Sequence, residues 1–270
     1  MQPLIITAAI CGAEVFRDQT PYVPYSPREL ADEAVRCRAA GATMVHLHVR
    51  EPDGTPSQRA ELFAETMGLI RAECDILVQF STGGAVGMGV DERADAVKLR
   101  PDMATLTTGS VNFGDDVFLN PPGIVRAIAG RLREFGVKPE IECFDTGMVD
   151  AALRLAKDGL IDLPAHFDFV LGMAGGMGGT DAHLDFIASL IPDASTWSVA
   201  GIGRWEMPLA RRAIAKGGHV RVGLEDNVYL SKGVLAKGSY ELVAQVAAMA
   251  AEAGRPLASI GQARELLRLG

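Results

Sequence analysis

Short apolar runs of β-type composition alternate with amphipathic helical patterns along the whole chain. Eight runs read as strands: Leu4–Ile10, Thr43–Val49, Ile76–Ser81, Met103–Thr107, Glu140–Phe144, Phe167–Leu171, Trp197–Ala200 and Val220–Leu224. DILVQF, residues 75–80, is apolar at nearly consecutive positions, which suits a parallel strand buried on both faces better than a half-wet antiparallel one. The helix signals between the runs are local. In Pro27–Ala40, Ser26 stands as an N-cap, Pro27 takes the first position where its missing N–H is harmless, Glu29 lies three residues past the cap, and Gly41 ends the helix. Eight such units, with no Ser/Pro linker or low-complexity break, predict an α/β fold: one (β/α)8 TIM-barrel domain over residues 1–270. A doubly wound open sheet would more often carry a Gly-rich fingerprint after its first strand. Here that place reads TAAICGAEVFRDQTPYVPYSP, residues 7–27, a long loop suited to the rim of an active site.

Composition narrows the partners. With 270 residues, 48% of them hydrophobic, the chain can bury a large core. A net charge of -8 and a pI near 5.2 argue against nucleic acid and anionic membrane, which call for clustered Lys and Arg, and leave a small molecule as the expected ligand. The opening MQPLIITAAICGAE lacks the basic segment of a signal peptide, and no apolar stretch has bilayer length, so a cytoplasmic location is expected. Cys11, Cys37, Cys74 and Cys143 are scattered without a C-x-x-C pair, which indicates core thiols rather than disulfides or a thiolate zinc site.

VHLHVR, residues 45–50, places His46 and His48 two apart on a strand, and therefore on one face. Near the C-terminal end of a barrel strand that face can line the mouth, where two imidazoles can grip one metal ion; a hydrogen-bonded core pair is the plainer alternative. The other histidines do not complete a site: His166 and His219 precede their strands, toward the opposite end of the barrel, and His183 belongs to a helix. That shortage disfavours an amidohydrolase-like centre and calls for a carboxylate. HVRVGLEDN, residues 219–227, supplies one. Alternation along the strand sends Arg221, Gly223 and Glu225 to one side, with Glu225 as third ligand and Asp226 held ionised by Arg221. Two imidazoles and a carboxylate suit Zn²⁺ and also Fe²⁺.

Other mouth residues fill in a pocket. After the third strand, Ser81 with the N–H groups of Gly83 and Gly84 can cradle a carboxylate or oxyanion. Thr105 and Thr107 share a face, as do Glu140 and Glu142, one of which belongs near Arg221. GMAGGMGG and GIGRW offer backbone amides, or simply tight turns, but neither is a nucleotide-binding P-loop. No lysine sits where a Schiff base would form, so carbanion chemistry would have to rely on a metal.

Taken together, GAEVFRDQTPYVP, AGATMVHLHVRE with the following DG and PSQ, STGGAVG, PDMATL, GMVDA, FVLGMAGGM, VAGIGRW and GGHVRVGLEDN resemble the β-keto acid cleavage enzymes, from Ile5 through the terminal GRPLASIGQARELL. The resemblance implies a zinc-dependent barrel, a homotetramer, that converts a β-keto acid and the co-substrate acetyl-CoA into acetoacetate and a CoA ester. It implies His46, His48 and Glu225 as zinc ligands, Asp226 as base with Arg221 as its support, and Glu14, Ser81, Gly84, Thr105 and Glu142 around the substrate. It points to 3-keto-5-aminohexanoate, an acid of lysine fermentation, with Glu14 facing the ammonium. The same reaction on another β-keto acid, and a metal-dependent aldolase or hydrolase independent of CoA, are the alternatives.

Overall fold

The structure, a computed structural model, describes residues 2–270. Its strands are Ile6–Ala9 (β1), Met44–Leu47 (β2), Leu77–Phe80 (β3), Met103–Thr107 (β4), Lys138–Cys143 (β5), His166–Leu171 (β6), Thr196–Gly201 (β7) and His219–Val222 (β8). Each pairs in parallel with the next, and β8 closes onto β1 through Ile6 opposite Val220. The eight expected strands are these eight. Around them run Pro27–Ala40 (α1), Ala60–Glu73 (α2), Val90–Asp95 (α3), Pro122–Phe135 (α4), Thr146–Lys157 (α5), Asp181–Ala188 (α6), Glu206–Lys216 (α7), Ser239–Glu252 (α8) and Ile260–Leu267 (α9). Helix α1 forms as its sequence dictates: the Ser26 hydroxyl accepts from Glu29 N–H, the Glu29 carboxylate accepts from Ser26 N–H, and Gly41 closes the helix at φ 120°. Among the described residues no helix is long and apolar enough to cross a membrane.

The barrel interior changes character along its axis. At the N-terminal end Ile5, Met44, Leu77 and Met103 pack with Ile260, Ala263 and Leu267, so α9 seals the floor with hydrocarbon. Each fully buried side chain of this size contributes roughly 1.5–3 kcal/mol, a substantial share of a domain's net stability. Two residues further along the same faces stand Thr7, His46, Gln79 and Thr105, all buried and all polar. The apolar floor offsets the cost of that polar layer, and the layer is where the chemistry lies.

Two expected strands end two residues early: β2 stops at Leu47, leaving His48 just past the strand, and β8 is also cut short. Strand β8 stops at Val222, and residues 223–226 turn away from it. Gly223 is pressed so close to β1 that a Cβ there would lie 2.1 Å from the Ala9 carbonyl oxygen. Its own carbonyl accepts from both Asp226 and Asn227 N–H, at 3.0 Å each. Glu225 and Asp226 therefore reach the mouth on a turn, not by strand alternation.

Candidate metal centre and active site

His46 Nε2 and His48 Nε2 lie 3.6 and 3.5 Å from one oxygen, Glu225 Oε1. Tetrahedral zinc ligands at roughly 2.0–2.2 Å from the ion stand about 3.3–3.6 Å from one another, so these spacings fit one ion. His46 Nδ1 is 2.6 Å from Gln79 Oε1, an atom that only accepts; the proton therefore sits on Nδ1, and the Nε2 lone pair is free for a metal. Burial lowers the His46 pKa to about 4, keeping the ring neutral. Burial pushes Glu225 up, but the Arg221 guanidinium, which donates to it at 2.7 Å, more than reverses this and holds its carboxyl well below the usual range. Glu225 Oε1, the oxygen that faces the imidazoles, also accepts from Arg221 Nη2 at 2.7 Å, while Oε2 is buried with no hydrogen-bond partner, so the carboxylate keeps unused acceptor capacity for an ion.

Arg221 gathers the remaining charge. Its Nε and Nη2 fork onto Asp226 at 2.9 and 3.0 Å, Nη2 also donates to Glu225 at 2.7 Å, and Nη1 reaches Glu142 Oε1 at 3.2 Å and Asp168 Oδ2 at 3.6 Å. Four carboxyl groups thus share one guanidinium in a buried site. Desolvation raises the pKa values of Glu142 and Asp168 and brings Asp226 to about 7, each against the pull of Arg221, so the fork orients Asp226 without holding it fully ionised, a correction to the expectation from sequence. The excess of acidic groups is what a divalent cation between the imidazoles and Glu225 would offset. The donor set fits a metal on both counts, ligand geometry and charge.

Beside this centre opens a cavity of about 310 Å³. The structure brings Glu14, Ser81, Gly84, Glu142, Arg221 and Asp226 to its wall. Thr105 is not on that wall. Its hydroxyl accepts from Thr82 N–H at 3.1 Å and its carbonyl from the Thr82 hydroxyl at 2.8 Å, so it braces the Ser81–Gly84 loop from behind, a correction to its expected place against substrate. His166 and His219 lie at the far end of the barrel as expected, His166 3.4 Å from Glu140 and His219 accepting from Ile5 N–H. The rest of the lining includes an apolar group: Phe113 and Phe118 come from a hairpin, Val111–Phe113 with Asp116–Phe118, that follows β4, and Phe144, Val170 and Met173 join them. The Gly-rich segment after β6 makes room for an indole carried by the segment after β7. A Cβ on Gly172 or Gly179 would come within 2.4 or 2.3 Å of the Trp205 side chain.

The profile of the beta-keto acid cleavage enzyme family (BKACE) matches residues 3–269. The chain is also 51% identical to the 3-keto-5-aminohexanoate cleavage enzyme of Fusobacterium nucleatum, over 100% of this chain and 99% of that one.

The chain belongs to the beta-keto acid cleavage enzyme family.

A second relative, the 3-oxoadipate:acetyl-CoA acetyltransferase of Cupriavidus necator, is 44% identical over 99% of this chain and 95% of its own. Among solved structures the apo form of ObcA superimposes with a TM-score of 0.79 at 20% identity, covering 93% of this chain and 66% of the longer one, a likeness of fold.

This β-keto acid cleavage enzyme holds its 223–227 turn with a side chain that local sequence did not mark. Glu206, at the start of α7 and 1% exposed, accepts from Gly223 N–H at 2.8 Å through Oε1 and from Asn227 Nδ2 at 2.9 Å through Oε2. It bonds to neither histidine nor to Glu225 or Asp226, yet it clamps both ends of the segment that carries the two carboxylates. Glu206→Ala is expected to weaken metal binding or turnover about 10- to 100-fold, the usual effect of losing a group that orients a ligand. Metal titration with a competing chelator measures it; wild-type affinity together with wild-type turnover would show that the turn needs no such clamp.

Proposed function

We propose that the enzyme binds Zn²⁺ through His46, His48 and Glu225 and converts a β-keto acid and acetyl-CoA into acetoacetate and a CoA ester, with 3-keto-5-aminohexanoate as the leading substrate and 3-aminobutanoyl-CoA as its product. The observation that carries this reading is the pairing, beside one cavity, of two imidazoles that meet a common carboxylate oxygen with an arginine-forked carboxylate next in sequence. The names of the two relatives support the substrate and the co-substrate. The proposal includes the homotetramer that the resemblance implies.

When bound, Zn²⁺ supplies Lewis-acid polarisation of the 3-keto oxygen, which makes C2 acidic. Asp226, oriented by the Arg221 fork, takes the C2 proton. The carbanion attacks the acetyl carbonyl of acetyl-CoA and expels the CoA thiolate. The thiolate then adds to the original 3-keto carbon, the C2–C3 bond breaks, and the departing C2 recovers the proton from Asp226, leaving acetoacetate and the new thioester. Ser81 Oγ accepts from Gly83 N–H at 3.1 Å, so the hydroxyl proton is available to a substrate carboxylate. Glu14, exposed at the rim, suits an ammonium group, and the phenylalanine wall accepts the carbon chain.

The test is incubation with acetyl-CoA and a panel of amino, neutral and acidic β-keto acids, with acetoacetate and the CoA ester followed by mass spectrometry. Both products are expected, most abundantly from the amino acid member. Their absence across the panel would sink the proposal, and cleavage without acetyl-CoA would favour the aldolase or hydrolase alternative.

A further inference from the structure

Arg50 closes the VHLHVR segment two residues beyond His48. It is 1% exposed, and among the described residues no carboxylate pairs with it. A guanidinium buried without a counter-ion is costly and persists only where its donors find other partners. Four of the five N–H donors of Arg50 do so. Nη2 donates to the Gly12 carbonyl at 2.7 Å and the Val15 carbonyl at 2.8 Å, Nη1 to the Gly54 carbonyl at 2.7 Å, and Nε to Cys11 Sγ at 3.1 Å. The rings of Phe16 and Tyr25 flank it, with centroids 4.7 and 4.9 Å from its central carbon.

The two carbonyls held by Nη2 bracket Ala13 and Glu14. One nitrogen therefore sets the span and direction of the only two residues between them, and Glu14 projects to the cavity rim from that span. The other side of the same segment rests on the metal centre: Gly12 has φ 71°, and a Cβ there would lie 2.6 Å from Glu225 Cγ. The segment cannot settle inward, because Glu225 blocks it, or outward, because Arg50 holds it.

We infer that Arg50 is a positioning residue for substrate choice, fixing residues 12–15 so that Glu14 faces the amino end of the β-keto acid. The inference rests on the proposed role of Glu14. Lysine cannot reproduce the hold, since a single ammonium lacks the planar fork that spans three carbonyls.

The experiment compares 3-keto-5-aminohexanoate with 3-ketohexanoate, which lacks only the amine, in the wild type, Arg50→Lys, Glu14→Gln and the double variant. Wild-type enzyme should prefer the amino substrate, and Arg50→Lys should lose about tenfold or more of that preference through KM, the scale of a displaced charge-assisted contact. Bound metal per chain and kcat on 3-ketohexanoate should stay within about threefold of wild type, since uniform binding and chemistry are untouched. Glu14→Gln should lose the same preference, and the double variant no more than either. Hydrogen exchange of amides 12–19 should quicken in Arg50→Lys and not in Glu14→Gln. Retained preference in Arg50→Lys, equal loss on both substrates together with metal, or additive losses in the double variant would overturn the inference. So would failure of both Arg50→Lys and Arg50→Gln to fold, because Arg50 would then support the whole barrel and not one segment. A wild type that forms no acetoacetate defeats the proposed function instead, while the exchange data still report on the hold itself.

Discussion

Asp226→Asn is expected to lower kcat by about 10²- to 10⁴-fold, the range of a lost general base, while the protein keeps its metal. The substitution is nearly isosteric, and the amide oxygen can still accept from Arg221, which forks onto Asp226 at 2.9 and 3.0 Å. An amide cannot take up the C2 proton, so the loss falls on the chemical step and kcat and kcat/KM should fall together. The other carboxyl groups are poor replacements. Glu142 is engaged by Thr107 and Arg221, and Asp168 is fully buried with its Oδ1 held by Ser198 at 2.6 Å. Steady-state kinetics together with elemental analysis of the purified variant make the check. A variant that loses metal in step with activity would place Asp226 in the metal centre and leave the base unassigned.

His46→Ala is expected to abolish stable metal binding and to lower turnover by roughly 10³-fold or more, as several kcal/mol of charge stabilisation disappear. Of the three proposed ligands His46 has the most fully specified environment, with its ring held by Gln79 at 2.6 Å and kept neutral by burial, which lowers its pKa to about 4. Without it, His48 and Glu225 offer two donors where catalytic zinc normally takes three from the protein. Native mass spectrometry gives the ion count directly. If the wild type holds no metal and the His46 variant remains active, the centre is a pair of core histidines and the Lewis-acid reading is wrong. The two variants together separate holding the ion from moving the proton.

The parts of this site that were legible in the sequence share a physical basis. His46 and His48 both meet Glu225 because extended backbone continued one residue past β2 keeps the strand's period of two, and α1 begins and ends where its capping residues stand. The eightfold alternation of strand and helix sufficed for the barrel because parallel strands buried on both faces write themselves as near-continuous apolar runs. The grouping of Glu225 and Asp226 with the histidines was reached through strand alternation, but the true route is the turn after Val222, forced by the contact of Gly223 with β1.

Position along the chain, by itself, determined the fold, the shared face of the two imidazoles and the kind of residues at the mouth. Only the tertiary structure decided how the mouth is held. Thr105 proved to brace Thr82 because two neighbouring strands place its hydroxyl behind the loop. Glu206 meets a backbone N–H 17 positions away and the Asn227 side-chain amide 21 positions away, and Arg50 meets carbonyls 35 and 38 positions away; the backbone partners among these carry no mark of residue type. Periodicity reports which way a side chain points within its own element. It carries no information about which distant carbonyl or N–H completes a buried charge, because that partner is chosen by closure of the barrel.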